Sequence, residues 1–266
     1  MSLNPPVVQI SGGEPLLRKD VADIVRAIKQ PNGLPLVILV TNGSLLNEKN
    51  YILLKAAGVD RFSVSLDFPN ELHDEFRGVP GLYKHLEEVI PYLARKYKND
   101  DIAMNSAITR DNLSYILPLA EKTAEWGVEI SYSAYSILRT GNKDHFISSP
   151  EDLDTLWQGL TGLIKLKKSN GRILNLEKTL LKTYQFFRDG FIPDCRAGLR
   201  FLVVRPDGYL NACSMFPEKI YSTQEEVLEK FAKNNKCGGC YVAIRAYTDK
   251  SFWSGLKDTI SVGFSR

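Results

Sequence analysis

The four cysteines of this chain are its clearest candidates for metal chemistry, and all of them lie in its last third. They are Cys195, Cys213, Cys237 and Cys240, and only two glycines separate the last pair. Thiolates with this spacing can bind one metal centre, and a hairpin between Cys195 and Cys213 can bring two more ligands. The sequence predicts a four-cysteine metal site, of either the iron–sulfur or the zinc type.

A second string with chemical potential follows the first apolar segment, at residues 11–17, and reads Ser-Gly-Gly-Glu-Pro-Leu-Leu. Gly12 and Gly13 let a ligand approach the backbone, and Pro15 sets the chain direction before a helix begins. Exposed backbone carbonyls together with the carboxylate of Glu14 would suit a cationic ammonium group.

Five segments predict strands, and amphipathic segments between them predict helices. The strand segments are Val7–Ser11, Leu36–Thr41, Arg61–Asp67, Ile102–Thr109 and Val128–Ser136. The helical segments are Lys19–Lys29, Asn47–Ala57, Gly81–Tyr97 and Leu113–Trp126. Strands that alternate with helices form parallel sheets, and five strands are too few for a closed eight-stranded barrel. We therefore predict an α/β domain with an open or partial barrel.

Several of these strands carry apolar residues on one face and small or polar residues on the other. In the third strand Phe62 and Val64 alternate with Ser63 and Ser65, and Ser133 lies on the polar face of the fifth. Parallel strands covered by helices on both faces are usually apolar throughout. The polar face predicts a lumen that holds a large polar ligand, and a merely solvated face is the alternative.

The chain changes character after residue 145, where two helical segments without a catalytic pattern are interpreted as a connector. A β-hairpin is then predicted around the Arg-Pro-Asp-Gly turn at 205–208, and helices are predicted at 223–233 and 252–257. The predicted domains are a partial barrel at 1–145, a helical connector at 146–190 and a small α+β domain at 191–266.

Composition and charge exclude several classes of function. The net charge of +3 and the isoelectric point near 8.5 are too mild to predict nucleic-acid binding. The longest apolar run, Leu34–Val40, is too short to cross a bilayer, and residues 1–6 lack the features of a signal peptide. A cytoplasmic location is expected, where cysteines stay reduced and bind metals more often than they form disulfides.

The string at 11–17 resembles the motif by which radical S-adenosylmethionine (SAM) enzymes hold the amino group of SAM. Other strings are similar to later strands and loops of that superfamily: Leu39–Gly43, Ser63–Asp67, His73–Gly78 and Ala107–Leu113. Of these, Ser63–Asp67 followed by His73–Gly78 resembles the fourth strand and the next loop of members that mature sulfatases or modify peptides. The resemblance covers nearly the whole chain.

The resemblance also implies a set of residues that bind SAM. These are Gly12, Gly13, Glu14, Pro15, Ser65, Asn105 and Ser133. Gly13 and Glu14 would contact the amino group, Ser65 and Asn105 would reach the ribose or the carboxylate, and backbone near Ser133 would lie by the adenine.

The spacing of the cysteines resembles the shortened auxiliary domain called twitch, which binds one [4Fe–4S] cluster. Twelve residues separate Cys195 from Gly208 and four separate Gly208 from Cys213, before the pair Cys237 and Cys240. The longer domain called SPASM has further cysteines after such a pair. The resemblance implies an auxiliary [4Fe–4S] cluster on these four ligands; zinc is the main alternative, and buried cysteines without a metal come third.

In one respect the chain departs from the superfamily: it has no CxxxCxxC loop, because its first cysteine is Cys195. That loop holds the cluster whose open iron binds SAM. The strand count is also one below the usual six, so we expect a partial (β/α)6 barrel that lacks its first βα unit. No catalytic residue is assigned, and this chain alone is expected to be inactive.

The full-length parent is expected to be an oxidoreductase with a second [4Fe–4S] cluster. It would cleave SAM to a 5′-deoxyadenosyl radical and abstract hydrogen from a peptide or a small molecule, with ferredoxin or flavodoxin as reductant. Two alternatives remain, a SAM- or nucleoside-binding module without catalysis and a zinc-stabilised α/β protein. Elemental analysis for iron, sulfide and zinc separates the three.

Two further expectations concern loops and edges. Asp67 and Arg77 are expected to form a structural pair that orders a loop, and His73 is expected to be a surface loop residue. Without a first βα unit, the first strand would be an exposed edge with Val8 and Ile10 on its outward face, and the chain is expected to self-associate there.

Overall fold

A five-stranded sheet organises the first half of the chain. In the computed structural model, which describes residues 4–30, 33–169 and 171–248, the strands lie in sequence order. They are β1 (Val7–Ile10), β2 (Leu36–Thr41), β3 (Arg61–Ser65), β4 (Ile102–Ile108) and β5 (Glu129–Ala134). The pairings from β1 through β4 are parallel. Each strand lies within its predicted segment, and the predicted α/β fold with a parallel sheet is confirmed.

Helices connect the strands and continue beyond them. They are α1 (Val21–Ile28), α2 (Glu48–Ala57), α3 (Leu72–Arg77), α4 (Leu82–Tyr97), α5 (Ile116–Glu125), α6 (Pro150–Lys168), α7 (Glu177–Asp189), α8 (Gln224–Lys230) and α9 (Ala243–Thr248). The side chain of Asn47 caps α2 by accepting from the Asn50 N–H at 3.0 Å. Gly58 ends α2 at a φ of 114°, where a Cβ would meet Lys29 at 2.6 Å. Sequence patterns did not predict α3 or α9.

Burial follows the predicted alternation on β3 but not on β5. Phe62 and Val64 are fully buried, whereas Ser63 and Ser65 on the opposite face are half-buried. On β5 the predicted polar face is buried as well, with Ser133 only 9% exposed. The apolar face of β3 therefore belongs to the core, and its polar face remains accessible.

Contacts divide the chain into two compact units. Among the described residues, the first unit comprises 4–106, 114–131 and 165–174, and the second comprises 107–113, 132–164 and 175–248. These bounds rest on contacts and differ from the three predicted domains, which stay a prediction. All four cysteines belong to the second unit.

The second unit contains a short antiparallel hairpin, β6 (Val203–Val204) with β7 (Leu210–Asn211), which is shorter than predicted. Val227 on α8 packs into a small core with Leu210, Cys195 and Cys213. A 3-10 helix at Ala232–Asn234 replaces the end of the predicted helix 223–233. The helix predicted at 252–257 lies outside the described residues.

Strand β1 lies at one edge of the sheet. Its exposed residues are Val7 and Gln9, whereas Val8 and Ile10 are half-buried. The prediction that Val8 and Ile10 form the outward face is therefore wrong, because these two side chains turn toward the covered face of the sheet. Self-association through this edge stays a prediction. Within the described ranges, the structure has no helix with the length and apolar character that a membrane span needs.

Candidate functional site

Glu14 joins the ends of β1 and β2. Its Oε1 accepts hydrogen bonds from the backbone N–H of Leu16 at 3.0 Å and from the hydroxyl of Thr41 at 2.7 Å. Its Oε2 accepts from the backbone N–H of Asn42 at 2.7 Å. A carboxylate offers about four acceptor positions, so these donors leave one for a ligand.

The backbone just before Glu14 is open. Gly12 and Gly13 are exposed, and a Cβ on either would meet no atom within 4 Å. Pro15, in contrast, is buried and begins a 3-10 helix. The two glycines therefore leave room for a ligand beside the Glu14 carboxylate, as their type predicts. The assignment of that ligand as SAM stays a prediction.

Ser65 and Asn105 lie side by side as register partners on β3 and β4. The hydroxyl of Ser131 on β5 donates to Asn105 Oδ1 at 3.3 Å. Ser131 was not among the predicted site residues, although the alternation that places it on the face of Ser133 could have found it. With Glu14 after β1, these polar groups line the carboxyl-terminal side of neighbouring parallel strands, where open α/β sheets bind ligands.

Ser133 is grouped with the second unit, on the part of β5 that Asn175 holds. The Asn175 side chain accepts from the Tyr132 N–H at 2.7 Å and donates to the Tyr132 carbonyl at 2.8 Å. This segment is therefore fixed by side-chain hydrogen bonds. The predicted placement of Ser133 by the adenine of SAM stays a prediction.

A buried cluster follows β3. Asp67 is fully buried, and its Oδ2 accepts from Nε of Arg77 at 2.7 Å, so the two residues form the structural pair expected from sequence. The backbone N–H of Asp67 donates to Nδ1 of His73 at 3.2 Å, which places the proton of the neutral ring on Nε2. His73 is fully buried on α3, so its prediction as a surface loop residue is wrong. The sequence did not indicate a hydrogen-bond partner for His73, because that partner is the backbone N–H of Asp67 and not a side chain.

The burial of neutral His73 is expected to make the folded protein less stable as the pH is lowered. Burial, together with the smaller effect of the Arg77 cation, lowers the pKa of His73 to about 4. The unfolded chain binds this proton below about pH 6.5, but the folded chain excludes it until about pH 4. The free energy of unfolding should therefore fall by about 3 kcal/mol as the pH falls between these values. Urea unfolding at a series of pH values measures the slope.

A His73→Asn variant is the matched control for that measurement. Its side-chain oxygen can take the place of Nδ1 as acceptor, and it does not titrate. Its stability should decline less steeply between pH 6.5 and pH 4 than that of the wild type. Equal slopes in the two proteins would contradict the assignment of the effect to His73.

The four cysteines line one cavity of the second unit. Cys195 and Cys213 are each 9% exposed, Cys240 is 6% exposed and Cys237 is half-buried. All four thiols are free of disulfides. The cavity is otherwise lined mainly by apolar side chains, including Ala197, Phe201, Met215, Phe231 and Val242.

Asn235 holds two of the cysteine segments together. Its side-chain amide donates to the Cys195 carbonyl at 3.0 Å, and its Oδ1 accepts from the Cys237 N–H at 3.0 Å. Between the last two cysteines, a Cβ on Gly238 would lie 2.1 Å from the ring of Phe191. Glycine at this position therefore lets the loop between the cysteines pack against that ring.

The donor set fits an iron–sulfur cluster, because cysteine thiolates are the usual ligands of such clusters. Burial raises the pKa of the Cys213 thiol to about 11 and also raises the pKa of Cys240. A metal centre would bind thiolates, so loading would release these protons. Across the described part of the chain, no three His, Cys, Asp or Glu side chains are arranged to hold a metal ion as a group.

Sequence reasoning missed one charged residue at this cavity. Arg245, on α9, is fully buried and belongs to the cavity lining. It follows Cys240 by five residues, in a segment for which no element was predicted. The spacing of the cysteines does not indicate an arginine at this position.

Comparison with known protein families gives one match, over the first part of the chain. Residues 4–121 match the model described as the Radical SAM superfamily. The match includes the open glycines, Glu14, Ser65 and Asn105, and it ends before the cysteines.

Two curated relatives of this chain are enzymes. The AdoMet-dependent heme synthase of Oleidesulfovibrio alaskensis is 26% identical over 88% of this chain and 70% of its own length. The GTP 3′,8-cyclase of Limosilactobacillus fermentum is 28% identical over 80% of this chain and 65% of its own length.

A solved structure with a similar fold is SuiB of Streptococcus suis. The structure of SuiB bound to S-adenosylmethionine is 17% identical to this chain with a TM-score of 0.61, and the match covers 82% of this chain and 52% of the SuiB chain. The structure of SuiB bound to precursor peptide SuiA is 17% identical with a TM-score of 0.59, and the match covers 79% of this chain and 49% of the SuiB chain. The chain thus spans about half the length of SuiB, and the likeness shows a shared fold.

Proposed function

We propose, from the match of residues 4–121 to the model described as the Radical SAM superfamily, that the protein functions within an iron–sulfur oxidoreductase that binds SAM on the carboxyl-terminal side of β1 to β4. One observation carries the proposal: the Glu14 carboxylate is fixed by three donors beside two open glycines. A fixed anion with an acceptor position left suits the ammonium group of SAM.

The residues of this chain would bind and orient SAM. Glu14 would accept from the ammonium group, and the adjacent pair Ser65 and Asn105 would bind the ribose or the carboxylate. SAM and its cluster supply the radical chemistry when both are bound. The barrel would be a partial (β/α)6 barrel that lacks its first βα unit.

We also propose that the tail is a twitch-like auxiliary domain over residues 191–266 with one [4Fe–4S] cluster. Its ligands would be Cys195, Cys213, Cys237 and Cys240, which line one cavity. The apolar lining supports the proposal, since it shields a redox centre from water. Zinc on the same thiolates remains the alternative, and bound iron with sulfide distinguishes the cluster from zinc.

The relatives support two classes of substrate. Heme synthase and GTP 3′,8-cyclase favour a small molecule, and the SuiB complex with its precursor peptide supports a peptide. We propose a small molecule or a peptide as substrate, ferredoxin or flavodoxin as reductant, and the cytoplasm as the location. Self-association through β1 belongs to the same proposal.

Exchanging Glu14 for glutamine is expected to weaken SAM binding by about tenfold or more, because a charge-assisted hydrogen bond to ammonium is lost. Equilibrium dialysis with SAM measures this loss. Methylthioadenosine lacks the amino-acid part of SAM, so both proteins should bind it equally. This difference between the two ligands identifies the group that Glu14 recognises.

A Thr41→Val variant is the matched control, because it removes one hydrogen bond to the same carboxylate and keeps the charge. It should retain most of the affinity for SAM. If Glu14→Gln binds SAM as tightly as the wild type, or loses both ligands equally, Glu14 has only a structural role.

A further inference from the structure

Arg245 carries a full positive charge in the interior of the second unit. Its side chain is fully buried and lines the cavity of the four cysteines. Removing a guanidinium group from water is costly unless hydrogen bonds and negative charge compensate for the loss. The position of Arg245 at this cavity therefore calls for a compensating interaction there.

The guanidinium group donates hydrogen bonds to the backbone of two segments, one just before Cys195 and one at Cys240. Its Nη1 donates to the carbonyl of Cys240 at 2.5 Å. Its Nη2 donates to the carbonyls of Ile192 and Pro193, the latter at 2.7 Å. Pro193 precedes Cys195 by two residues, so one side chain connects the backbone beside two cysteines.

The same two segments are also joined directly. The backbone N–H of Ile192 donates to the carbonyl of Gly238 at 2.9 Å. The forked geometry of arginine serves several carbonyls at once, which the single ammonium group of lysine cannot reproduce. Arg245 therefore links the segment just before Cys195 to the backbone of Cys240.

The charge of Arg245 would act on a bound cluster as well. Four thiolates give an iron–sulfur cluster net negative charge, and reduction by one electron makes it more negative. A buried cation nearby stabilises the reduced form more than the oxidised form, and net charge is one of the factors that set cluster potentials.

We propose that Arg245 is the positioning residue and the buried counter-charge of the cysteine site: it holds the Cys195 and Cys240 segments in place and raises the reduction potential of the cluster. This inference rests on the proposed auxiliary cluster.

The experiment uses the full chain, reconstituted anaerobically with iron and sulfide, as wild type, Arg245→Met and Arg245→Lys. Iron loss to a chelator measures positioning, and a redox titration followed by electron paramagnetic resonance measures the potential. Arg188→Met, which changes an exposed arginine on α7, is the matched control and should behave as the wild type.

Arg245→Met should lose iron about tenfold faster, and its ratio of reduced to oxidised cluster at a fixed potential should fall about tenfold, a shift of about 59 mV. Arg245→Lys should keep the wild-type potential, because its charge remains, but should lose iron faster than the wild type. If Arg245→Met does not fold, Arg245→Lys decides, and an unchanged rate of iron loss overturns the inference.

Two negative results are distinguishable. A wild-type chain that takes up no iron overturns the cluster and the role of Arg245 together. A wild-type cluster whose potential and rate of iron loss are unchanged in Arg245→Met overturns the role of Arg245 alone.

Discussion

Exchanging Cys213 for alanine should reduce the iron bound after anaerobic reconstitution from about four atoms per chain to about three. Three remaining thiolates leave one iron of the cluster without its ligand. Cys213 also packs into the core of the second unit with Val227 and Phe231. Since metal binding contributes to folding in small cores, the loaded variant should melt roughly 5 °C or more below the loaded wild type.

A Ser214→Ala variant is the matched control, because Ser214 lines the same cavity and is not a predicted ligand. It should keep its iron and its melting temperature. A Cys213→Ala variant that melts like the wild type with metal present would contradict the structural role. Stoichiometric zinc without iron–sulfur absorbance would contradict the cluster itself.

The second large effect expected is that these 266 residues on their own do not cleave SAM. The superfamily match covers residues 4–121, and the first cysteine of the sequence is Cys195. Residues 1–194 therefore contain no CxxxCxxC loop of the kind that the proposed SAM-binding cluster would need. With SAM and a strong reductant, the reconstituted chain should produce no 5′-deoxyadenosine above a protein-free background.

Liquid chromatography of the quenched reaction measures that product. A radical SAM enzyme that carries the CxxxCxxC loop is the positive control and should produce 5′-deoxyadenosine under the same conditions. Product from this chain, at a rate that follows protein concentration, would refute the prediction.

The sheet could be predicted from sequence because its signals are local. The alternation of apolar and polar residues indicates which side chains of β3 face the core. An asparagine before α2 and a glycine after it mark where that helix begins and ends. The six residues of α3 are too few to show a helical period in the sequence. This helix is instead held in place by the hydrogen bonds of His73 and Arg77 with Asp67. Such tertiary contacts are not visible in a local pattern.

The candidate site shows the same division. The string around Glu14 indicates a ligand site by its residue types, but the donors Thr41 and Asn42 come from the end of another strand. The cysteines are recognisable by spacing, whereas Arg245 depends on how α9 packs. Spacing in the sequence identifies candidate ligands of one residue type, here the cysteines. A residue of another type, such as Arg245, comes close to them only through the fold.

The three donors to Glu14 have a consequence for local dynamics. The amide of Leu16 lies in the 3-10 helix after β1 and that of Asn42 lies in the loop after β2, yet both donate to one carboxylate. Neither segment can release its amide to water without disturbing the anchor of the other. Hydrogen–deuterium exchange should therefore show the two segments opening as one unit, and a cation bound to the carboxylate should slow exchange in both.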